Sequence, residues 1–250
     1  MIVVCTIPSV ALLIGFIFYY LRRQYKCCLK CFKRRSETEH CNNSLPLCPE
    51  TICRQYSINN LRFNKAYFNF QHNRCYCDQC YPRTKADRFT VAGSIYTVQR
   101  GWVRYGLQVD AASAAAKHIF KQWYTTFYGT SKDKLEQILR NRSIPFPGDQ
   151  LLSGEIFTTH LCDKEHVYTS PSIHYASLPH VCPTDTTKIN NEWYDFQVVL
   201  ECKQNPEGIT KQLGYQPNVC RIIPENEIEW KTNRRATVTP IGLLIRARKH

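Results

Sequence analysis

Methionine is almost absent from this chain. There is one, at position 1, and only 10 glycines occur in 250 residues. The core is left to 12 Phe, 15 Tyr, 4 Trp and the branched aliphatics, side chains with few rotamers that pack rigidly, without methionine's adaptability. No Walker loop, Gly-x-Gly-x-x-Gly turn or other Gly-rich phosphate cradle occurs, which excludes the commonest nucleotide-binding loops. Heptads and internal repeats are lacking, so a coiled coil or a solenoid is excluded too. Nor is there a single acidic residue before Glu37.

That last absence shapes the N-terminus. Ile2 to Leu21 runs for about 20 residues without a charge, enough to cross a hydrocarbon core. It lacks the positive start, short apolar run and small-x-small site of a cleaved signal peptide, so residues 1–21 read as a retained transmembrane anchor. Arg22, Arg23, Lys26, Lys30, Lys33, Arg34 and Arg35 come directly after it. Taking those seven from the 33 basic residues leaves 26 against 20 acidic ones. Most of the net charge of +13 is therefore juxtamembrane, where it favours anionic lipid and keeps the downstream chain on the cytosolic side. Nucleic acid is not indicated as a partner. Cys27, Cys28 and Cys31, set among these cations, are palmitoylation candidates. From Ser36 to Asn64 no periodicity emerges, and residues 22–64 read as a basic, Cys-rich segment and linker.

The 14 cysteines bunch toward the N-terminal third, which suits cytosolic thiols better than a disulfide framework. Cys75, Cys77 and Cys80, with His72 before them, put four soft ligands within nine residues. Four S or N ligands are what a structural zinc takes. The spacing is tighter than that of a zinc ribbon, so Cys41, Cys48 or Cys53 could complete the shell, and a group of reduced thiols is the alternative. Phe89 to Val98 alternates around Ala-Gly-Ser and reads as a hairpin, so residues 65–99 form a Cys-rich, zinc-compatible segment with a hairpin.

The remainder, 100–250, is expected to be α+β and mainly β, with a few helices and two packed sheets. Gly101–Leu107 gives a strand or docking loop. Asp110 caps an Ala-rich helix to about Gln122. Trp123 to Gly129 is a strand that stops at a glycine. Ser131 opens a helix with Leu135, Ile138 and Leu139 on one face. Gly154–Thr159, Glu165–Thr169, Asp195–Cys202, Val219–Trp230 and Ala236–Arg248 read as strands. Tyr128, Tyr168, Ser172, Tyr175, Glu227 and Glu229 make a candidate pocket set. Aromatics, one hydroxyl and a carboxylate suit a flat polar ring carrying an amide, and a carboxylate could stabilise an oxocarbenium-like centre.

The order of these residues resembles the ADP-ribosyltransferase fold of the PARP-like (poly(ADP-ribose) polymerase-like) class. Its first motif, His-Gly-Thr or His-Gly-Ser at a strand end, corresponds to Tyr128-Gly129-Thr130. Its second, a strand Tyr followed by Ser-x-x-Tyr, corresponds to Tyr168 and Ser172-Ile173-His174-Tyr175. Its late-strand Glu corresponds to Glu227 in Asn226-Glu227-Ile228-Glu229-Trp230, with Glu229 on the same strand face as the rival. The likeness covers roughly residues 100–248. It implies NAD as substrate, bound through Tyr128, Gly129, Thr130, Tyr168, Ser172 and Tyr175, with Glu227 or Glu229 and Tyr168 at the reacting centre. Gly129 would hold the nicotinamide carboxamide and Ser172 would add a hydroxyl contact. Tyr128 departs from the family's His, which is expected to bond the adenosine ribose. The expected function is a membrane-anchored, cytosol-facing transferase moving ADP-ribose from NAD to a macromolecule, a protein above all. The alternative is a catalytically degenerate NAD- or ADP-ribose-binding or protein-interaction module.

Overall fold

The structure is a computed structural model that describes residues 48–61, 63–158 and 163–250. The chain divides into two units, residues 1–45 and 46–250. The expected anchor, the basic run and Cys27, Cys28, Cys31 and Cys41 lie outside the described residues. Among the described residues no helix is long and apolar enough to cross a membrane.

Two strands make the frame. β8 (Glu192–Gln204) and β11 (Val238–Lys249) pair antiparallel along almost their whole length. A strand alternates faces at every residue, and this pair is apolar on both. Val198, Leu200, Cys202, Leu243 and Ile245 join one core cluster, while Val199 and Leu244 join the other. β4 (Val103–Gly106) extends the sheet on the β11 side, and β1 (Arg74–Cys75) pairs with β4. On the far side β8 pairs with β5 (Tyr124–Thr130) and, by its earlier residues, with β7 (Asp185–Ile189). A second sheet, β6–β10–β9, is built from Val167–Thr169, Glu229–Thr232 and Thr210–Gln212. It meets the first through the bridge between Phe127 and Ser170. A mixed α+β, mainly β unit with few helices is what the sequence pattern leads one to expect.

Local chemistry sets the helices. Asp110 accepts from the Ser113 amide at 2.6 Å, but the Ala-rich stretch breaks at His118, whose φ is +49°. It therefore forms two short helices, α2 (Ala111–Ala116) and α3 (Ile119–Gln122). α4 (Lys132–Asn141) buries Leu135, Ile138 and Leu139 as its stripe demands. α5 (Ile173–Ala176) starts at Ser172, whose oxygen accepts from the Tyr175 amide. The hairpin of β2 (Arg88–Val91) and β3 (Ser94–Thr97) turns at Ala92 and Gly93, both at positive φ.

Several expectations are corrected. The segment read as a linker carries α1 (Glu50–Tyr56) and a further turn to Leu61. Tyr56 is wholly buried, stacked on Phe196 at 3.9 Å between centroids, and donates to Asp185 at 2.7 Å. One seven-residue helix has too few turns for a periodic stripe to emerge. The Cys-rich segment is no separate piece, since β1 is an outer strand of the main sheet. Val219–Trp230 is strand only from Glu229 onward, because Pro224 leads into a 3₁₀ turn over Glu225–Glu227. In the expected Gly154–Thr159 strand, the described residues up to Thr158 make only a single bridge, between Ile156 and Gln150.

If α1 is part of the core, Tyr56→Ala should cost about 3–5 kcal/mol, the range for losing a large buried aromatic. Urea unfolding checks this, and a loss below about 1 kcal/mol would return α1 to the status of a surface appendage.

Candidate active-site cleft and a cysteine cluster

The cleft begins with a close approach. A Cβ added to Gly129 would stand 2.2 Å from the Ala176 carbonyl oxygen and 3.1 Å from that of Val181. Only glycine lets α5 lie this near β5. Tyr175, one residue before that carbonyl, is thereby aimed at the second sheet. Its hydroxyl donates to Glu229 Oε2 at 2.7 Å and accepts from the Tyr215 amide at 2.8 Å. Burial, then the adjoining carboxylate, raises its pKa. Glu229 Oε1 accepts from Gln212 Nε2 at 2.5 Å, its direct partner across β9 and β10.

Two carboxylates two apart would share a face only if both lay on the strand. They do not. Glu227 ends the 3₁₀ turn, its side chain 44% exposed and paired with Lys211 at 2.5 Å. The cleft is lined by Glu229 and not by Glu227.

Tyr128, Gly129, Thr130, Tyr168 and Tyr175 line the same cleft. Tyr128 is half-buried within β5, and burial pushes its phenol pKa up. Tyr168 donates to Asp163 at 2.5 Å. This bond, helped by the Glu165 amide and His166, holds the Asp163 carboxyl down at about 2. Ser172 is not at the surface of the cleft. It is fully buried beneath α5 with its oxygen turned to the Tyr175 amide, so it caps the helix that carries Tyr175. Ser170 lines the cleft in its stead and donates to the Ile228 carbonyl at 2.6 Å. Asp163, Gln212, Ser170 and Lys134 are cleft or supporting residues that the sequence alone does not single out. The cleft is a narrow groove of about 50 Å³, partly open to solvent.

A second group lies elsewhere. The sulfurs of Cys48, Cys75, Cys77 and Cys80 are all within 4.8 Å of one another and could hold a metal ion. Cys75, Cys77 and Cys80 meet as their spacing predicts, but the fourth member is Cys48 and not His72. The reason is local. His72 closes a 3₁₀ turn and its carbonyl accepts from Arg104 at 2.5 Å, while its Cβ lies against Gly106. Within this closely spaced group the contact with Cys75 draws the Cys48 thiol down, against desolvation, while the Cys75 and Cys80 thiols are driven up.

No protein-family model matches the sequence.

The Tyr175 hydroxyl satisfies two partners at once, so Tyr175→Phe should lower stability by about 1–3 kcal/mol while leaving the ring in place. Chemical denaturation reads this directly, and an unchanged midpoint would mean that the hydroxyl does not hold α5 to β10.

Proposed function

We propose that residues 100–250 form an ADP-ribosyltransferase-like domain that takes NAD as substrate and transfers ADP-ribose to a macromolecule, with a protein as the acceptor. The observation that carries this reading is the meeting of Glu229, Tyr175, Tyr168 and Gly129 in one cleft, drawn from β10, α5, β6 and β5. These are the residue types that the resemblance to the PARP-like class calls for, in its order along the chain. The carboxylate of the site is Glu229 in place of Glu227.

On this reading Tyr168 and Tyr175 flank the nicotinamide ring, and the Gly129 backbone holds the carboxamide. The bond from ribose C1′ to the nicotinamide nitrogen breaks, and its electron pair leaves with nicotinamide. Positive charge develops on the ribose, and the Glu229 carboxylate stabilises it. A nucleophile of the acceptor bonds to C1′ and releases its proton to solvent water. Ser172 acts only through α5, by capping it. An anchor at residues 1–21 with the domain on the cytosolic side would confine acceptors to the membrane surface. Zinc at the four-thiol cluster belongs to the same reading as a structural ion, since a closed set of four thiolates leaves no position for a substrate.

A second reading has specific support. Both oxygens of Glu229 are already taken, by Tyr175 and Gln212, and Tyr128 stands where the family has His. Both favour a module that binds ADP-ribose or a protein and catalyses nothing.

Labelled NAD supplied to the purified full chain in detergent separates these readings. Transfer should fall by about 10²-fold or more in Glu229→Gln and stay near wild type in Glu227→Gln. Label transfer that survives in Glu229→Gln would sink the assigned chemistry. Saturable binding without turnover in the wild type would decide for the second reading.

A further inference from the structure

A tetrahedron of thiolates about 2.3 Å from a zinc ion has edges of about 3.8 Å. The two sulfur separations at Cys48 bracket that length, 3.6 Å to Cys75 and 3.9 Å to Cys80. The four ligands differ in how they are held. Cys75 is in β1, paired with Val103 of β4. Cys77 and Cys80 close a tight turn, with the Cys80 and Tyr81 amides both donating to the Cys77 carbonyl at 3.0 and 2.7 Å. Three sulfurs are therefore fixed by sheet and turn. Cys48 comes from 27 residues before Cys75, and it leads within two residues into α1, which begins at Glu50.

α1 is weakly held by local forces. It has seven residues, no side-chain cap hydrogen bond and a proline at its N-cap, and helices this short are marginal alone. What it carries is nonetheless central. Cys53 donates to the Ile245 carbonyl of β11, and Tyr56 is stacked on Phe196 of β8. Both side chains are wholly buried. A tie at one end of such a helix stabilises it by removing part of the entropy that the free segment would otherwise recover.

We infer that a zinc ion bound by Cys48, Cys75, Cys77 and Cys80 is a clasp that docks α1 onto the main sheet. Cys48 is the ligand that makes a local Cys75–Cys80 site into a long-range one. This rests on reading the cluster as a zinc site and goes beyond it. A site completed within residues 72–80 would bind the same ion and leave α1 untouched.

The test uses the full chain, purified under reducing conditions in detergent, with zinc content measured by mass spectrometry and backbone hydrogen exchange followed over residues 48–61. One zinc per chain is expected, and His72→Ala should keep it. Removing the ion with a chelator should speed exchange over residues 50–56 at least tenfold, and restoring zinc should reverse this. Cys48→Ser should reproduce the chelated state. Absence of stoichiometric zinc in the wild-type chain would overturn the zinc reading itself. One zinc per chain, with exchange over residues 50–56 unmoved by chelation and by Cys48→Ser, would overturn the clasp and leave the zinc site standing.

Discussion

A carbonyl oxygen sits where a side chain would begin. The Ala176 oxygen occupies the space of a Gly129 Cβ, and the cleft depends on that contact. Because β5 accepts α5 at backbone distance, the short helix turns Tyr175 toward the second sheet. The Tyr175 hydroxyl then meets Glu229 across 54 residues of sequence. The main sheet supplies the rigidity behind it. β8 is buried on both faces, so β5 has no freedom to slip without exposing an alternating set of apolar side chains. The small second sheet presents its carboxylate from β10, with Gln212 of β9 holding the other oxygen. Site and frame are one piece of packing, joined at Phe127 and Ser170.

The two oxygens of Glu229 are both engaged. That has a functional reading as well as a structural one. A carboxylate fixed by a phenol and an amide is pre-oriented, which is what electrostatic stabilisation of a developing cation requires. It is also partly satisfied, so a ribose hydroxyl would have to share it or displace a partner. The Tyr175–Glu229 bond ties α5 to β10 across the cleft.

Much of this is legible in the residues. The strand–turn–helix order from Trp123 to Ala176 appears because each element carries its own signal: a β-branched aromatic run, a glycine, a stripe of Leu135, Ile138 and Leu139, and a Ser at a helix start. The parts that are not legible depend on distance. Cys48 and His72 are equally plausible fourth ligands in a string of letters, and His72 is nearer. Only the passage of α1 over the main sheet brings Cys48 in, with Cys53 bonded to Ile245 and Tyr56 stacked on Phe196. The choice between Glu227 and Glu229 turns on where a strand begins, and Pro224 delays that start past Glu227 to Glu229. Ser172 has the spacing of a ligand contact and the position of a cap, and the structure uses it as a cap, the ordinary preference of Ser at a helix start.

That the Glu229–Tyr175 cleft receives NAD is tested most directly by titration calorimetry with NAD, on the full chain, on Tyr168→Ala and on Glu227→Ala. One saturable site per chain is predicted. It should be lost in Tyr168→Ala, whose ring lines the cleft, and kept in Glu227→Ala, whose carboxylate faces Lys211 outside it. Absence of binding to the wild-type chain, or equal binding to Tyr168→Ala, would contradict an NAD site in this cleft.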